Sequence, residues 1–206
     1  MGAAAVSGSI GVLGGAFNPP HLGHLALAEA ARDQLELDRV LLMVTGLAPH
    51  KKIDPDPGPE VRLELTRQAC TGIEGVEASA LEVERGGESF TSDTLRSIAR
   101  DEPDSDLWLI CGSDIAATLP HWNKPDLICE LASLAVALRP GSSTEGVERA
   151  LTELGVDPGE KLRVLEFAPR EISSTEVRRR CADGEPIDDF VPASVAEMID
   201  REGLYR

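Results

Sequence analysis

The feature that most constrains this chain is a glycine- and proline-rich segment between two apolar runs of different periodicity. The segment reads GGAFNPPHLGH over residues 14–24. Residues 9–13 form a short apolar run typical of a buried strand, whereas residues 22–37 carry apolar side chains at helical spacing. Because glycine and proline interrupt both patterns, the segment predicts a tight turn that joins a strand to a helix.

The alternation of strand and helix continues along the chain. Residues 40–44 predict a second strand, which places the first helix in a βαβ unit and favours a parallel sheet. With 206 residues and 42% hydrophobic content, the chain can bury one substantial core, so residues 1–206 are expected to form a single α/β domain with a mostly parallel sheet. Further strands are predicted at 76–84, 107–111, 134–139 and 162–167, and further helices at 60–70, 115–119, 144–154 and within 188–206.

Charge and composition narrow the choice of partners. The formal net charge of -16 disfavours nucleic-acid binding, since a phosphodiester backbone would be repelled. No apolar run has the length of a membrane span and no secretory signal pattern precedes the first strand, so we expect a cytoplasmic protein that does not bind membranes. The four cysteines are scattered without a CxxC pair and are expected to be free thiols. The sequence leaves the oligomeric state open, and a homo-oligomer is compatible with it.

The residue types of the turn suit a phosphate site. Paired glycines let the backbone approach a ligand, and the helix that follows offers unpaired N–H groups and the positive end of its dipole. His21 and His24 lie three residues apart, so in the first helical turn they share a face and can contact one anion together. Two other interpretations remain: a turn shaped only by packing, and a zinc site, for which further ligands are not visible nearby.

Other polar groups also follow predicted strands, and each has a simpler structural interpretation. Thr91 or Ser92 could cap a helix, and Asp114 could cap the helix predicted at 115–119 or accept hydrogen bonds from ribose hydroxyls. Ser173 and Glu176 match a capping box. Trp122 lies in a loop where a core position is less natural, so its face is available to stack on a flat ring.

Two motifs resemble those of one nucleotide-transferring superfamily. The chain has neither a GxGxxG after the first strand nor a GxxxxGK[ST] loop, which disfavours the standard dinucleotide fold and the P-loop. GGAFNPPHLGH resembles instead the GGxFxPxHxGH signature of the HxGH nucleotidyltransferases, and ISSTEVR at residues 172–178 is similar to their ISSTxxR motif. PHK at 49–51, SFTSDTL at 89–95 and the segment from GSD at 112–114 to Trp122 resemble the bacterial nicotinate mononucleotide adenylyltransferases within that superfamily.

This resemblance implies a Rossmann-like fold and the transfer of an adenylyl group from ATP, with Mg²⁺, to nicotinate mononucleotide. It implies no metal site made by the protein alone. The catalytic residues would be His21, His24, Lys51 and Arg178. The ATP-binding residues would be Gly14, Gly15, Ala16, Phe17, His21, Gly23, His24, Ile172, Ser173, Ser174, Thr175 and Arg178. The acceptor-binding residues would be Asn18, Lys51, Thr91, Gly112, Asp114 and Trp122.

The chain departs from the family pattern at three positions. Phe90 stands where tyrosine is frequent, Ala16 where serine or threonine is usual, and Pro125 where another aromatic residue is frequent. Pro125 weakens the inference about the acceptor, so nicotinamide mononucleotide and phosphopantetheine remain alternatives. A nucleotide-binding regulator without turnover is a further alternative, which the intact histidine pair and ISSTEVR disfavour.

Overall fold

A six-stranded parallel sheet forms the centre of the computed structural model, which describes residues 8–48, 54–138, 142–167 and 172–206. The strand order is β3-β2-β1-β4-β5-β6, and every neighbouring pair is parallel. This confirms the predicted α/β class and its parallel sheet. The strands are β1 (Ser9–Gly15), β2 (Arg39–Val44), β3 (Val76–Ser79), β4 (Asp106–Gly112), β5 (Ala132–Ala137) and β6 (Leu162–Leu165).

Helices cover both faces of the sheet, as the connections between parallel strands require. The longest is α1 (Leu22–Leu35), which ends where Glu36 adopts a left-handed conformation. A short 3-10 helix, Leu119–His121, follows α5. The helices are α1, α2 (Pro59–Cys70), α3 (Leu81–Arg85), α4 (Thr91–Asp101), α5 (Ser113–Ala116), α6 (Pro125–Leu131), α7 (Glu145–Glu153), α8 (Pro158–Lys161), α9 (Ser174–Asp183) and α10 (Ala193–Glu202).

Each face of the sheet carries its own apolar cluster. One contains Leu42, Val177 and Val195 and lies beneath α1, α2, α9 and α10. The other contains Leu95, Leu134 and further side chains of β4, β5 and the helices α4 to α7. Because both faces are covered, β5 reads as a nearly continuous apolar run, as expected for a central strand of a parallel sheet.

The strand order reverses at one position of the sheet, and in open parallel sheets such a reversal leaves a cleft beyond the strand ends. The chain runs outward from β1 to β2 and β3, then returns to place β4 on the other side of β1. In open parallel sheets ligands bind beyond the carboxyl ends of the strands where the order reverses in this way. The GGAFNPPHLGH turn follows β1 and Gly112 ends β4, so the two segments singled out from the sequence flank this cleft.

Three local predictions were wrong. The strand predicted at 76–84 stops at Ser79, and α3 follows, because Glu82 turns inward and its carboxylate accepts a 2.6 Å hydrogen bond from Thr94. Neither Thr91 nor Ser92 caps α4, since both belong to its first turn and Phe90 occupies the N-cap.

The helix predicted at 115–119 begins earlier, at Ser113, and its N-cap is Gly112 rather than Asp114. The remaining strand and helix predictions were correct to within a few residues at their ends. Among the described residues, no helix is long and apolar enough to cross a membrane.

Candidate functional site: the cleft between β1 and β4

Two stacked histidines lie where the turn after β1 enters α1. His21 is the N-cap of α1, and His24 is the third residue of the helix. Their rings stack with centroids 3.6 Å apart and planes inclined by 19°. The predicted spacing therefore does bring both imidazoles to one face of the helix N-terminus, where the unpaired N–H groups and the helix dipole favour an anion.

The neighbours of the pair fix its geometry. A side chain at Gly23 would lie 3.1 Å from Nδ1 of His21, so glycine leaves room for that ring. Phe17 is 2% exposed and has a left-handed backbone, with φ of 47°, and its ring meets His24 edge to face at 5.0 Å. An aromatic residue rarely adopts this conformation, and such backbone geometry is concentrated at functional sites.

Burial keeps both histidines neutral in the free protein. It lowers the pKa of His21 to about 4. Burial and the neighbouring His21 ring hold the pKa of His24 well below its ordinary value. Nδ1 of His24 accepts a 3.2 Å hydrogen bond from the backbone N–H of His21, so a neutral His24 carries its proton on Nε2. Nδ1 of His21 is buried and lacks a hydrogen-bond partner among the described residues, which is unusual for a buried polar atom and is compatible with a catalytic role.

The second motif packs directly against the first. Ser173 caps α9, because its side chain accepts a 3.1 Å hydrogen bond from the backbone N–H of Glu176. The predicted reciprocal bond from Glu176 is not formed; that carboxylate pairs instead with Arg179 and Arg180. Ser174 donates to the carbonyl of Pro19 at 2.8 Å, which joins the N-terminus of α9 to the turn after β1.

Arg178 makes a second connection between the motifs. Its guanidinium donates to the carbonyl of Asn18 at 2.7 Å and to the hydroxyl of Thr175 at 3.3 Å. Arg178 and Ser174 are half-buried and Thr175 is exposed, so this cluster borders the solvent beside the histidines. Ile172 packs instead against the first apolar cluster. The structure therefore brings together most of the residues predicted to bind ATP.

The acceptor residues predicted on β4 lie across the cleft. Gly112 ends the strand, and a side chain there would lie 2.7 Å from the Asp114 carboxylate. Glycine thus leaves room for that carboxylate to fold back toward the strand end. Asp114 is exposed, and the neighbouring Ser113 hydroxyl lies 3.2 Å from that of Ser142.

Trp122 follows Asp114 along the chain, and its indole is partly buried. Its indole N–H donates to the hydroxyl of Thr118 at 2.9 Å, and its ring packs against the second apolar cluster while remaining partly exposed. The ring therefore has more core contact than the sequence suggested. The next residue, Asn123, accepts a hydrogen bond from Ser92 at 3.0 Å, which attaches the tryptophan loop to the first turn of α4, where half-buried Thr91 begins the helix.

Two predicted site residues differ from the others: one lies outside the described residues, and the other is buried and bonded within the protein. Lys51 lies outside the described residues, so its predicted contacts with both substrates stay a prediction. Asn18 is 3% exposed, and both ends of its amide are bonded within the protein: Nδ2 donates to the carbonyl of Pro55 at 2.7 Å and Oδ1 accepts from the hydroxyl of Tyr205 at 2.7 Å.

Comparison with known proteins places the chain in a family. The model of the family described as Cytidylyltransferase-like matches residues 12–180. A probable nicotinate-nucleotide adenylyltransferase of Roseiflexus sp. (strain RS-1) is 40% identical over 200 residues, which cover 97% of this chain and 99% of the relative. One of Gemmatimonas aurantiaca is 38% identical over 197 residues, which cover 96% of this chain and 92% of the relative. The chain belongs to the nicotinate-nucleotide adenylyltransferase family.

A solved structure agrees with this adenylyltransferase fold. The nicotinic acid mononucleotide adenylyltransferase of Plasmodium falciparum, complexed with APC, superimposes with a TM-score of 0.75 at 16% sequence identity, over 96% of this chain and 97% of that chain. At this identity the likeness concerns the fold. The predictions of the family and of the Rossmann-like fold are confirmed.

Sequence reasoning missed one buried residue that stabilises the loops around this site. Arg62 of α2 is fully buried, and its guanidinium donates to the carbonyls of Ala16, Thr45 and Gly46 at 2.7 to 3.1 Å and pairs with Asp56 at 3.0 Å. It therefore joins the turn after β1 to both described ends of the loop after β2. The available signal was an arginine on the otherwise buried face of α2.

Proposed function

We propose that this enzyme transfers the adenylyl group of ATP to nicotinate mononucleotide, which yields the deamido dinucleotide and pyrophosphate in NAD biosynthesis. Membership of the family supports this reaction. The observation that carries it is the stacked pair of His21 and His24 at the start of α1, with Arg178 of α9 bonded to the same turn. This arrangement suits a polyphosphate because it combines a helix N-terminus, two imidazole donors and a guanidinium.

The histidines act as hydrogen-bond donors to the phosphates. With Nδ1 of His24 accepting from the backbone, its Nε2–H is the donor that faces a ligand. Negative charge that develops at the α-phosphate during transfer raises the pKa of a neighbouring imidazole, so the interaction becomes stronger in the transition state than in the free enzyme. Such differential binding is what accelerates the reaction.

The remaining ATP contacts come from the same two segments. The backbone of Gly14 to Phe17 lines the phosphates, and apart from the two adjacent residues no described atom lies within 4 Å of the position that a side chain at Gly14 would occupy. This open space accommodates a close approach of the ligand. Gly15, Ala16, Gly23 and residues 172–175 complete the ATP side, with Arg178 and the Ser173–Thr175 turn toward the β- and γ-phosphates.

The acceptor occupies the side of the cleft formed by β4 and the tryptophan loop. Its phosphate oxygen is already an anion at neutral pH, so no general base is needed, and the protein's task is to align two repelling anions. The ring of Trp122 stacks on the pyridine and Asp114 accepts from the ribose, with Gly112, Thr91 and Lys51 as further acceptor contacts. The amide of Asn18 is bonded within the protein, so this residue contributes by positioning the turn rather than by contact with the acceptor.

Magnesium enters as part of the substrate, the MgATP complex. Among the described residues no three His, Cys, Asp or Glu side chains form a group that could hold a metal ion, and Mg²⁺ is commonly held through substrate phosphates with few protein ligands. Lys51 and Arg178 supply the protein's own positive charge. We also propose that residues 1–206 form one nucleotidyltransferase domain, that the enzyme acts in the cytoplasm, and that nucleic acid and membranes are not among its partners.

A panel of acceptors tests the proposal. The purified protein is incubated with MgATP and, in separate reactions, nicotinate mononucleotide, nicotinamide mononucleotide or phosphopantetheine, and pyrophosphate and the product are quantified. We expect the fastest turnover with nicotinate mononucleotide, and turnover slower by roughly a hundredfold or more in the folded His24→Ala variant. Faster turnover with another acceptor would replace the proposed substrate, and ATP binding without turnover on any acceptor would favour a regulator.

A further inference from the structure

Asn18 connects four segments that are far apart in the sequence. Besides the contacts of its amide with Pro55 and Tyr205, its backbone carbonyl accepts the hydrogen bond from Arg178. We call Asn18, Pro55, Arg178 and Tyr205 the Asn18 cluster. Asn18 precedes His21 by three residues, so the cluster determines where the catalytic turn lies relative to α9 and to the loop after β2.

Tyr205 reaches this cluster because the chain reverses after α10. Gly203 follows the helix in a left-handed conformation, with φ of 62°, and the N–H of Leu204 donates to the carbonyl of Ile199 at 3.0 Å. Tyr205 itself has φ of 64° and is 9% exposed, so its side chain points into the protein at some cost in backbone energy. Burial raises the pKa of the Tyr205 phenol, which therefore stays protonated and remains a donor.

The hydroxyl of Tyr205 determines the orientation of the Asn18 amide. Oδ1 of Asn18 accepts from that hydroxyl, which leaves Nδ2 directed at the carbonyl of Pro55. Without the hydroxyl, a buried carbonyl oxygen would lose its hydrogen-bond partner, which destabilises this orientation of the amide. The amide could then rotate toward other donors, and the contact with Pro55 would be lost with it.

We propose that Tyr205 is a positioning residue for adenylyl transfer, which acts through Asn18 on the turn that carries His21 and His24. The proposal rests on the proposed function and deepens it. It assigns a part in turnover to the segment after α10, a segment that the family-model match, residues 12–180, does not include. Small displacements of catalytic groups lower turnover strongly, so the effect is expected in kcat more than in either Michaelis constant.

Tyr205→Phe removes the hydroxyl and keeps the ring, and Ser194→Ala is its matched control. Ser194 also attaches α10 by one hydroxyl, which donates to the carbonyl of Gln68 at 2.9 Å, and no hydrogen bond among the described residues joins it to the Asn18 cluster. We expect Tyr205→Phe to lower kcat about tenfold, with both Michaelis constants within about twofold of those of the parent enzyme. Ser194→Ala should have a melting temperature similar to that of Tyr205→Phe and an unchanged kcat.

A double-mutant cycle tests whether Tyr205 acts through Asn18. If Tyr205 acts through Asn18, removing its hydroxyl in an Asn18→Ala background causes no further loss of kcat. Fully additive losses, a kcat of Tyr205→Phe within twofold of the parent enzyme, or an equal loss in Ser194→Ala would each overturn the proposal.

Hydrogen exchange separates this proposal from the proposed function. In the free protein, Tyr205→Phe should speed amide exchange in residues 14–24 and 54–56, whereas Ser194→Ala should not. This measurement needs no turnover, so the parent protein's failure to make the dinucleotide would overturn the proposed function alone. Unchanged exchange in Tyr205→Phe would overturn the positioning role whatever reaction the enzyme catalyses.

Discussion

The two sides of the cleft are held in different ways. On the ATP side, side chains from distant parts of the chain donate to the backbone of one turn: Ser174 to Pro19, Arg178 to Asn18, and Arg62 to Ala16. The first two contacts span 155 and 160 residues. On the proposed acceptor side the contacts join segments that are closer in the sequence: Trp122 donates to Thr118, four residues away, and Ser92 donates to Asn123, 31 residues away.

This difference suggests that the residues that transfer the adenylyl group are tied to the core more firmly than the residues that select the acceptor. The proposed phosphate-transfer geometry depends on the packing of α1, α2 and α9 on the sheet, so it cannot change without disturbing the core. Of the proposed acceptor groups, Gly112, Asp114 and Trp122 lie on short segments at and after the end of β4, where substitutions disturb fewer long-range contacts. Substitutions should therefore have larger and broader effects on the ATP side than on the acceptor side.

The largest expected effect is that of His24→Ala. Removing a positioned donor to the transferred phosphates should lower kcat by roughly a hundredfold or more. Steady-state kinetics measure this, with circular dichroism to show that the variant is folded. His121 is exposed at the end of the 3-10 helix, so His121→Ala is the control and should keep near-normal turnover. Near-normal turnover in His24→Ala would contradict the proposed difference between the ATP side and the acceptor side of the cleft.

The histidine pair should also make stability depend on pH. In the unfolded chain the histidines bind protons below about pH 6.5, whereas folded His21, with a pKa of about 4, does not, and the pKa of His24 is lower than normal as well. The unfolded state therefore gains protons first as the pH falls, and stability is lost from pH 6.5 downward. From His21 alone we expect the free energy of unfolding to be about 2 kcal/mol smaller at pH 5 than at pH 7.

Denaturant unfolding at the two pH values measures this loss. A His21→Asn/His24→Asn double variant should lose most of the difference, because it removes the two buried imidazoles whose pKa values are lowered in the folded protein. His121→Asn should retain it. An unchanged pH dependence in the double variant would show that the buried pair is not its source.

Arg178→Ala tests whether α9 serves ATP rather than the acceptor. A charge-assisted contact with one substrate is lost, so kcat/KM for ATP should fall roughly tenfold and more than that for nicotinate mononucleotide. Arg179→Ala is the matched control, since its exposed guanidinium pairs with Glu176, Asp183 and Glu185. Equal losses for the two substrates would mean that Arg178 acts through the turn as a whole.

The smallest effect is expected at Trp122. Loss of a stacking contact worth about 1 kcal/mol should raise the Michaelis constant for nicotinate mononucleotide about fivefold and leave that for ATP unchanged. Fluorescence gives an independent measurement, because the only other tryptophan is Trp108 of β4. In Trp108→Phe the acceptor should quench the remaining emission and ATP should not; the reverse result would place Trp122 on the adenine side.

Sequence reasoning failed where a tertiary contact outweighed a local pattern. Residues 76–84 alternate well enough to predict one strand, but buried Glu82 bonds to Thr94 of α4 and the chain turns into α3. It also missed Arg62 and Tyr205, whose partners lie far away in the sequence. Neither hydrophobic periodicity nor a helix-capping motif can predict such contacts, because both describe only neighbours along the chain.

The sequence by itself determined the elements that depend on near neighbours. The glycines and prolines of residues 14–24 end β1 and precede α1, the three-residue spacing places His21 and His24 on one helical turn, and Ser173 caps α9. Only the tertiary structure decided that α9 meets the turn after β1, since that contact requires the strand order of the sheet and a common apolar core. Side-chain packing brings Arg178 and Tyr205 to Asn18, and no local pattern encodes that distance.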